Sequence, residues 1–320
     1  MAKYVVHGLC IETEIVLPDV LRDEGNGPCV SLTERVADVI PHAEPSGPRR
    51  LNIWRGDRSQ AWLSEGDGHL SLLLPGAVEF IIADDLSSVV ATRQSDVAPD
   101  LIPILVCGLL GAVLVSLHGD LAMHASGVLD SSRLLLIAGG TGRGKSTTAA
   151  LCVLGGAALF ADDVVRVTFN DERPIAYRGS PVLRLRASAA NMASITNFVT
   201  LSGITDRRST FAATTAGPTP HEIAAVVLPR PSRSATEVSV QVVAPDQAFR
   251  VLHRCLRVSD WQTADDLNRQ FDHIATLAAH VPTIECVIPW RDDPTRVIGS
   301  LVLQRIHEAL SGRSGLSGAS

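Results

Sequence analysis

The feature that most constrains the fold is a glycine-rich loop between an apolar run and a helix-forming run. Residues 134–138 read LLLIA and residues 139–147 read GGTGRGKST, which matches the pattern G-x-x-x-x-G-K-[ST]. The following run, Thr148–Leu154, favours a helix and ends at a glycine pair. A strand, a glycine loop and a helix in this order predict a phosphate-binding loop in an α/β fold.

Each residue type of this loop has a physical task. Glycines let backbone N–H groups converge on phosphate oxygens, and the start of the helix adds its positive dipole end. The side chain of Lys145 is predicted to bind the β and γ phosphates, and the hydroxyl of Ser146 to bind Mg²⁺. The predicted nucleotide-binding residues are Gly139, Gly140, Thr141, Gly142, Arg143, Gly144, Lys145, Ser146 and Thr147.

A second candidate is the acidic pair Asp162-Asp163, which follows the apolar run Ala157–Ala161. Neighbouring residues on an extended chain point in opposite directions, so one carboxylate can face Mg²⁺ while the other acts as general base on an acceptor hydroxyl. An ordinary acidic turn is the alternative, since the chain also contains Asp84-Asp85 and Asp265-Asp266. The position of Asp162-Asp163 after the glycine loop favours function.

Composition narrows the class of protein. With 46% hydrophobic residues and a net charge of −6, the 320-residue chain is expected to fold, and bulk binding to nucleic acid or an anionic membrane is disfavoured. The six cysteines are scattered without a C-x-x-C pair, which predicts neither a zinc site nor a disulfide framework. Reduced thiols, and an N-terminus unlike a signal peptide, predict a cytoplasmic protein.

Changes of pattern along the chain suggest its domains. Short strands separated by turn residues predict a β-rich N-terminal module over residues 1–98, followed by an α/β catalytic domain over 99–312 and a flexible tail over 313–320. The uncharged run Leu101–Leu117 is predicted to be a buried core helix rather than a membrane span, because it is short and lacks flanking basic clusters. One long helical stretch is predicted from Asp246 to His280.

The chain resembles the catalytic domain of bacterial HPr kinase/phosphorylase and its HPr kinase-like relatives. In that family a histidine lies 21 residues before the lysine of the loop, and an Asp-Asp pair lies 17 and 18 residues after it. Here His124, Asp162 and Asp163 have these spacings from Lys145. The matching motifs cover residues 118–167, about a sixth of the chain.

The resemblance implies an α/β P-loop kinase core of the HPr kinase C-terminal-domain type, using ATP and Mg²⁺. It implies that Asp163 accepts the proton of a substrate serine, that Asp162 supports the metal and that His124 lies near the transferred phosphoryl group. Lys145 and Ser146 would hold the phosphates and the metal. Such transfer is accelerated mainly by positioning and charge neutralisation.

The chain also departs from that family. Where HPr kinase/phosphorylase has a metal-binding glutamate, residues 181–188 carry Arg184 and Arg186 and no glutamate. Phosphorylase activity and HPr as the substrate are therefore not expected. If both arginines lie on one face of a strand they could bind phosphate or an acidic substrate segment, and a solvated strand face is the equal alternative.

The layout further resembles kinases encoded in gene clusters for ribosomally made peptides, including lasso peptides. The leading hypothesis is an ATP-dependent kinase for a serine of a peptide or protein, with no nucleic-acid partner, no membrane expected and an oligomer possible. A small-metabolite kinase and a nucleotide-binding regulatory module without phosphotransfer are the alternatives. The loop contacts phosphates, so it leaves ATP and GTP undistinguished.

Overall fold

The structure is a computed structural model that describes residues 1–17, 29–55, 58–140, 142–180, 182–186, 199–201, 208–212, 220–290 and 296–314. Its strands are β1 Ala2–Val6, β2 Leu9–Thr13, β3 Val30–Ala37, β4 Arg49–Arg55, β5 Arg58–Glu65, β6 His69–Leu74, β7 Val78–Ala83, β8 Ser88–Gln94, β9 Leu121–Met123, β10 Ala125–Asp130, β11 Arg133–Ala138, β12 Ala158–Ala161, β13 Val165–Asn170, β14 Arg173–Tyr177, β15 Val182–Arg186, β16 Val199–Leu201, β17 Arg208–Ala212, β18 His221–Ser232, β19 Ser239–Val242, β20 Asp260–Trp261 and β21 Thr283–Pro289. Its α-helices are α1 Leu101–Leu105, α2 Gly111–Leu117, α3 Lys145–Leu154, α4 Pro245–His253, α5 Ala264–His280 and α6 Arg296–Ser314. The chain is therefore a mixed α/β protein with large sheets, as the sequence predicts.

The chain divides into two compact units. Unit 1 contains Met1–Ala122 and Arg257–Asp272, and unit 2 contains Met123–Leu256 and the chain from His273 onward. The boundary predicted from the sequence lies at residue 98, whereas unit 1 extends to residue 122 and takes in a distant segment as well. Sequence patterns are local, so they do not show which sheet a later segment will join.

Unit 1 is built on one sheet, whose described strands lie in the order β1-β2-β3-β8-β7-β6-β5-β4-β20. Alternation of apolar and polar residues sets its buried face: along β7, Val78, Phe80 and Ile82 are fully buried. Strands β5 to β8 form an antiparallel meander, with pairs such as Leu72↔Phe80. The predicted β-rich N-terminal character therefore agrees with the sheet.

Residues 101–117 form a buried helical run within unit 1. Helices α1 and α2 flank a π-helical turn, Val106–Leu110, and most of their side chains are buried. The imidazole Nε2 of His7 lies 3.0 Å from the carbonyl oxygen of Cys107. A Cβ on Gly111 would lie 2.8 Å from the His7 ring, so the small residue allows this close approach. Across the described residues, no helix has both the length and the apolar character that a membrane crossing requires.

Two cysteines of unit 1 correct an expectation from the sequence. Cys10 and Cys29 form a disulfide with their Cα atoms 4.5 Å apart, so the prediction of reduced thiols is wrong for this pair. Strands β2 and β3 run parallel with Ile11 opposite Val30, which places the preceding residues side by side. That pairing joins positions 19 residues apart, and a search for C-x-x-C spacing could not detect it.

The segment Arg257–Asp272 joins unit 1 through β20 and the start of α5. Strand β20 extends the sheet by pairing Trp261 with Leu51 on β4. The predicted continuous helix over residues 246–280 is wrong, because α4 ends at His253 and α5 starts afresh at Ala264. Thr263 begins this second helix: its Oγ1 accepts a hydrogen bond from the Asp266 N–H at 3.3 Å, as an N-cap residue does.

Asp266 holds this segment to the sheet. Its carboxylate accepts hydrogen bonds from Arg50 Nε at 3.1 Å and Thr263 Oγ1 at 2.6 Å, and Arg269 lies at 3.6 Å. Burial alone raises the pKa of Asp266, but the hydrogen bonds from Arg50 and Thr263, with the charges of Arg50 and Arg269, outweigh it and hold that pKa below its usual value.

Unit 2 is built around parallel strands. β11 runs parallel to β18 and β18 parallel to β21, while β10 lies antiparallel to both β11 and β12. Helix α3 buries one face, including Ala149, Ala150 and Leu151, in the apolar core of this unit. It also meets α6 closely, since a Cβ on Gly299 would collide with the carbonyl oxygen of Leu151. This packing fixes the start of α3 relative to the sheet.

Candidate active site

The glycine loop joins the end of β11 to the start of α3. Gly139, Gly142 and Gly144 have φ values of 154°, 82° and 88°, in the region that side chains disfavour. Gly144 is the N-cap of α3, and its carbonyl oxygen accepts the Thr148 N–H at 2.8 Å. The loop thus brings the first N–H groups of α3 and its positive dipole end to one place, as an anion-binding turn requires.

Lys145, the first residue of α3, lies folded back over this loop. It is 7% exposed, and its Nζ donates a hydrogen bond to the carbonyl oxygen of Gly140 at 3.3 Å. Its neighbour Arg143 is exposed, and Thr147 is half-buried on the first turn of α3. Thr141, also predicted to bind nucleotide, lies outside the described residues.

Strand pairing explains why distant parts of the chain meet at this loop. Because β10 is antiparallel to both neighbours, its first residues lie opposite their last: Ala125 pairs with Ala138, and Gly127 pairs with Ala161. The residues that come just before β10 and just after β11 and β12 therefore share one edge. His124, the glycine loop and the acidic pair are brought together in this way.

Asp162 connects the glycine loop to β10. Its Oδ1 accepts hydrogen bonds from Ser126 Oγ at 2.6 Å and from Ser146 Oγ at 2.9 Å, and its side chain is almost fully buried. Its backbone N–H donates to the carbonyl oxygen of Ser180 at 2.8 Å. A carboxylate beside a serine hydroxyl is a set of hard oxygen donors, which fits Mg²⁺.

The side chain of Asp163 points away from that of Asp162 because the chain turns sharply at Asp163. Its φ is 70°, and the N–H of Val164 donates across it to the carbonyl oxygen of Asp162 at 2.9 Å. This is a three-residue turn that strains a non-glycine residue, and such strain concentrates at functional sites. The two carboxylates diverge because of this turn, and not because the chain is extended as the sequence predicts.

The turn places Asp163 against His124. The imidazole Nδ1 of His124 lies 3.0 Å from the carbonyl oxygen of Asp163 and 3.4 Å from its Oδ1. The backbone N–H of His124 donates to the carbonyl oxygen of Cys255 at 2.7 Å, which fixes the backbone of His124. Both side chains remain about a fifth exposed, so an incoming hydroxyl can reach them.

Three residues of this site were missed by sequence reasoning: Ser126, Ser180 and Cys255. Ser126 lies on β10, two residues after His124, and only the pairing of β10 with β12 brings it to Asp162. Burial raises the pKa of the Cys255 thiol to about 11, while the charge of Lys145 opposes the rise. The thiol is therefore neutral at ordinary pH, and it serves as apolar packing under the site.

The other acidic pairs have different surroundings. Asp85 accepts hydrogen bonds from the backbone and side chain of Ser87 in an exposed turn, and Asp266 is part of the ion pair in unit 1. Arg184 and Arg186 lie on β15, but their side chains are outside the described part of the chain. Among the described residues, no three or more His, Cys, Asp or Glu side chains are grouped as metal ligands.

Comparison with known proteins gives little further information. No protein-family model matches the chain. No curated protein sequence matches it either. One similar solved structure is the Hpr(Ser) kinase/phosphatase from Coxiella burnetii, at 12% identity and a TM-score of 0.33 over 62% of this chain and 95% of that one. That similarity is too weak to carry an argument, so the function must be inferred from the geometry of the site.

Proposed function

We propose that the chain is an ATP-dependent kinase that phosphorylates a serine of a peptide or protein. The proposal rests above all on one observation: the helix-start hydroxyl of Ser146 and the strand hydroxyl of Ser126 share the buried carboxylate of Asp162. This is the arrangement expected where a metal–nucleotide complex meets a glycine loop. The resemblance to HPr kinase-like proteins supports the choice of serine.

In the proposed reaction the serine oxygen forms a bond to the γ-phosphorus while the bond from that phosphorus to the leaving oxygen of ADP breaks. Asp163 accepts the hydroxyl proton, and the adjacent His124 orients the carboxylate and adds a donor at the site of charge. Lys145 and the loop N–H groups hold the phosphates in line. The positions of Asp163 and His124 at the exposed side suit an acceptor that approaches from solvent.

Ser146 and Asp162 would hold Mg²⁺. When bound, the ion would neutralise phosphate charge as it develops in the transition state. Ser126 and Ser180 orient Asp162 through its carboxylate and its backbone N–H. Substrate phosphates and water would complete the coordination, as is usual for Mg²⁺ in nucleotide enzymes.

The deciding experiment uses mass spectrometry. The purified chain is incubated with Mg²⁺, ATP and the peptides and proteins encoded beside its gene. A gain of one phosphate on a serine, lost in Lys145→Ala, is the expected result. Arg133→Ala is the matched control for removing a cation, since Arg133 is exposed, lies at the other end of β11 from the loop and should leave transfer largely intact. Transfer to a small molecule instead would support a metabolite kinase, and ATP binding without any transfer would support a regulatory module.

A further inference from the structure

We propose that Arg166, stacked on Tyr177, binds a carboxylate of the peptide substrate next to the serine that is phosphorylated. The inference rests on the proposed function and adds a substrate class to it: serine peptides with an acidic group close to the acceptor. Neither residue is among those that sequence reasoning assigns to the site. Both residues lie on the hairpin formed by β13 and β14.

The open end of this hairpin, where β13 begins and β14 ends, is the end connected to Asp163 and Ser180. Strand β13 begins at Val165, two residues after Asp163, and β14 ends three residues before Ser180, which accepts the backbone N–H of Asp162. Arg166 and Tyr177 form the register pair closest to that edge. Three residues of extended chain span at most about 11 Å, so Arg166 lies within reach of a group bound beside Asp163.

The hairpin follows in the chain directly after Asp163, the proposed proton acceptor. Asp162 turns toward Ser146 and the glycine loop, whereas Asp163 turns toward His124. The chain leaves Asp163 directly into β13, so the pair belongs with the proton acceptor rather than with the phosphate-binding loop. A group that touches Arg166 is therefore expected to be part of the acceptor and not of the nucleotide.

The stacked pair has the geometry of a preformed carboxylate receptor. The guanidinium carbon of Arg166 lies 4.7 Å from the centroid of the Tyr177 ring, within the range of a cation–π contact. Stacking restrains the guanidinium plane, and the N–H donors of that plane match a carboxylate in a bidentate way. Both side chains are half-buried, so a carboxylate bound there loses part of its water and gains a stronger interaction.

The hairpin is also anchored at its other end. The ring of Phe169 stacks on His273 with centroids 4.7 Å apart, so the strands cannot swing freely about the site. The negative charge of the neighbouring aspartates explains how a cation at Arg166 would favour an acidic substrate. Asp162 and Asp163 repel an acidic peptide, and a fixed cation next to them offsets that repulsion for a substrate whose acid falls at the right distance.

The test uses peptides with one central serine and mixed residues at the three positions on either side, prepared with a free or an amidated C-terminus. Wild type with Mg²⁺ and ATP should prefer Asp or Glu at a flanking position, or a free C-terminus, by about tenfold to a hundredfold in kcat/KM. The mixed positions and the two C-termini tell a side-chain carboxylate from a terminal one.

Arg166→Gln should lose this preference through the peptide KM, with the KM for ATP unchanged. Arg166→Lys keeps the charge without the planar fork and should restore it only in part. Arg173→Gln is the matched control, because Arg173 lies on the same hairpin at its turn end and is highly exposed. It should retain the wild-type preference.

The outcomes separate the two proposals. Serine phosphorylation by wild type with no preference for an acidic group, or a preference that persists in Arg166→Gln, overturns the inference and leaves the kinase proposal standing. A rise in the KM for ATP in Arg166→Gln at constant peptide KM assigns the pair to the nucleotide and also overturns it. Absence of phosphorylation of every peptide by wild type overturns both.

Discussion

Two buried aspartates, one in each unit, have nearly the same exposure and contrasting surroundings. Asp266 in unit 1 is 5% exposed and Asp162 in unit 2 is 4% exposed. Guanidinium groups of Arg50 and Arg269 face the first, and hydroxyl groups of Ser126 and Ser146 bind the second. A guanidinium adds a positive charge beside a carboxylate, whereas a hydroxyl orients it through a neutral hydrogen bond. Equal burial therefore does not define the role of an acid, and its donors must be compared as well; Asp266 accepts the Thr263 hydroxyl in addition to the charge of its arginines.

The largest expected effect is on the phosphotransfer proposed for unit 2. Asp163→Asn should reduce the phosphotransfer rate by about a hundredfold to ten-thousandfold, because the amide cannot accept the serine proton. Asparagine tolerates the positive φ at this position, so the fold and ATP binding should be unchanged. Single-turnover kinetics and ATP titration measure the two quantities. A variant that transfers phosphate at the wild-type rate would remove Asp163 from the role of base.

The next effect is a loss of stability in unit 1, which contains the disulfide. Replacing Cys10 and Cys29 with serine should lower the free energy of unfolding by about 3 kcal/mol, since the disulfide closes a loop with a sequence separation of 19. Phosphotransfer at a temperature where the variant stays folded should be unaffected. Denaturant unfolding measures the stability. Cys286→Ser is not a suitable control, because that thiol is buried; reduction of the wild-type disulfide is the independent comparison.

Asp266→Asn should weaken unit 1 by about 2 kcal/mol, because it removes a charged acceptor from two arginines. The exposed neighbour offers the control, Asp265→Asn, which should change the stability little. Nucleotide affinity should be the same in both variants. Equal losses in the two variants would contradict the structural role of the ion pair.

The same carboxylate sets a pH dependence. A group whose folded pKa lies below its unfolded pKa stabilises the fold above the unfolded value, about 3.9 for aspartate, and loses that contribution as the pH falls through the folded pKa. Wild type should therefore lose stability in this acid range more steeply than Asp266→Asn. The free energy of unfolding of both proteins is measured from pH 5 downward. Equal slopes of this free energy against pH would contradict the lowered pKa of Asp266.

The smallest effect sharpens the contrast between the two aspartates. Ser126→Ala removes one hydroxyl from Asp162 and should raise the Mg²⁺ concentration needed for half-maximal activity by about tenfold to a hundredfold. Ser71→Ala is the matched control in unit 1, where the Ser71 hydroxyl also binds a carboxylate, that of Glu79, at 2.7 Å. It should change stability and leave the Mg²⁺ requirement constant.

Local patterns predicted the parts of the molecule that depend on local sequence. The glycine loop, the strands of the N-terminal sheet and the burial of residues 101–117 all follow from periodicity, glycine placement and length. The family resemblance carried by the spacings of His124, Asp162 and Asp163 from Lys145 predicted one common site, and the antiparallel pairing of β10 places these residues at one shared edge.

The rest depends on contacts between distant parts of the chain. Cys10 reaches Cys29 only through a parallel strand pair, and Arg257–Asp272 joins unit 1 through a single edge strand and the ion pair of Asp266. The hydroxyl of Ser126 becomes part of the site only when β12 lies beside β10. None of these contacts leaves a periodic signal in its own segment, so sequence reasoning could not assign them.

The positive φ of Asp163 has an evolutionary consequence. The backbone there accepts aspartate, asparagine or glycine far more readily than other residues, and single-base changes convert an aspartate codon into an asparagine or a glycine codon. A lineage can therefore lose the proposed proton acceptor in one step and keep the fold and the glycine loop. If the proposed role of Asp163 is correct, relatives with Asn or Gly at this position should lack phosphotransfer and retain only the binding proposed for the loop.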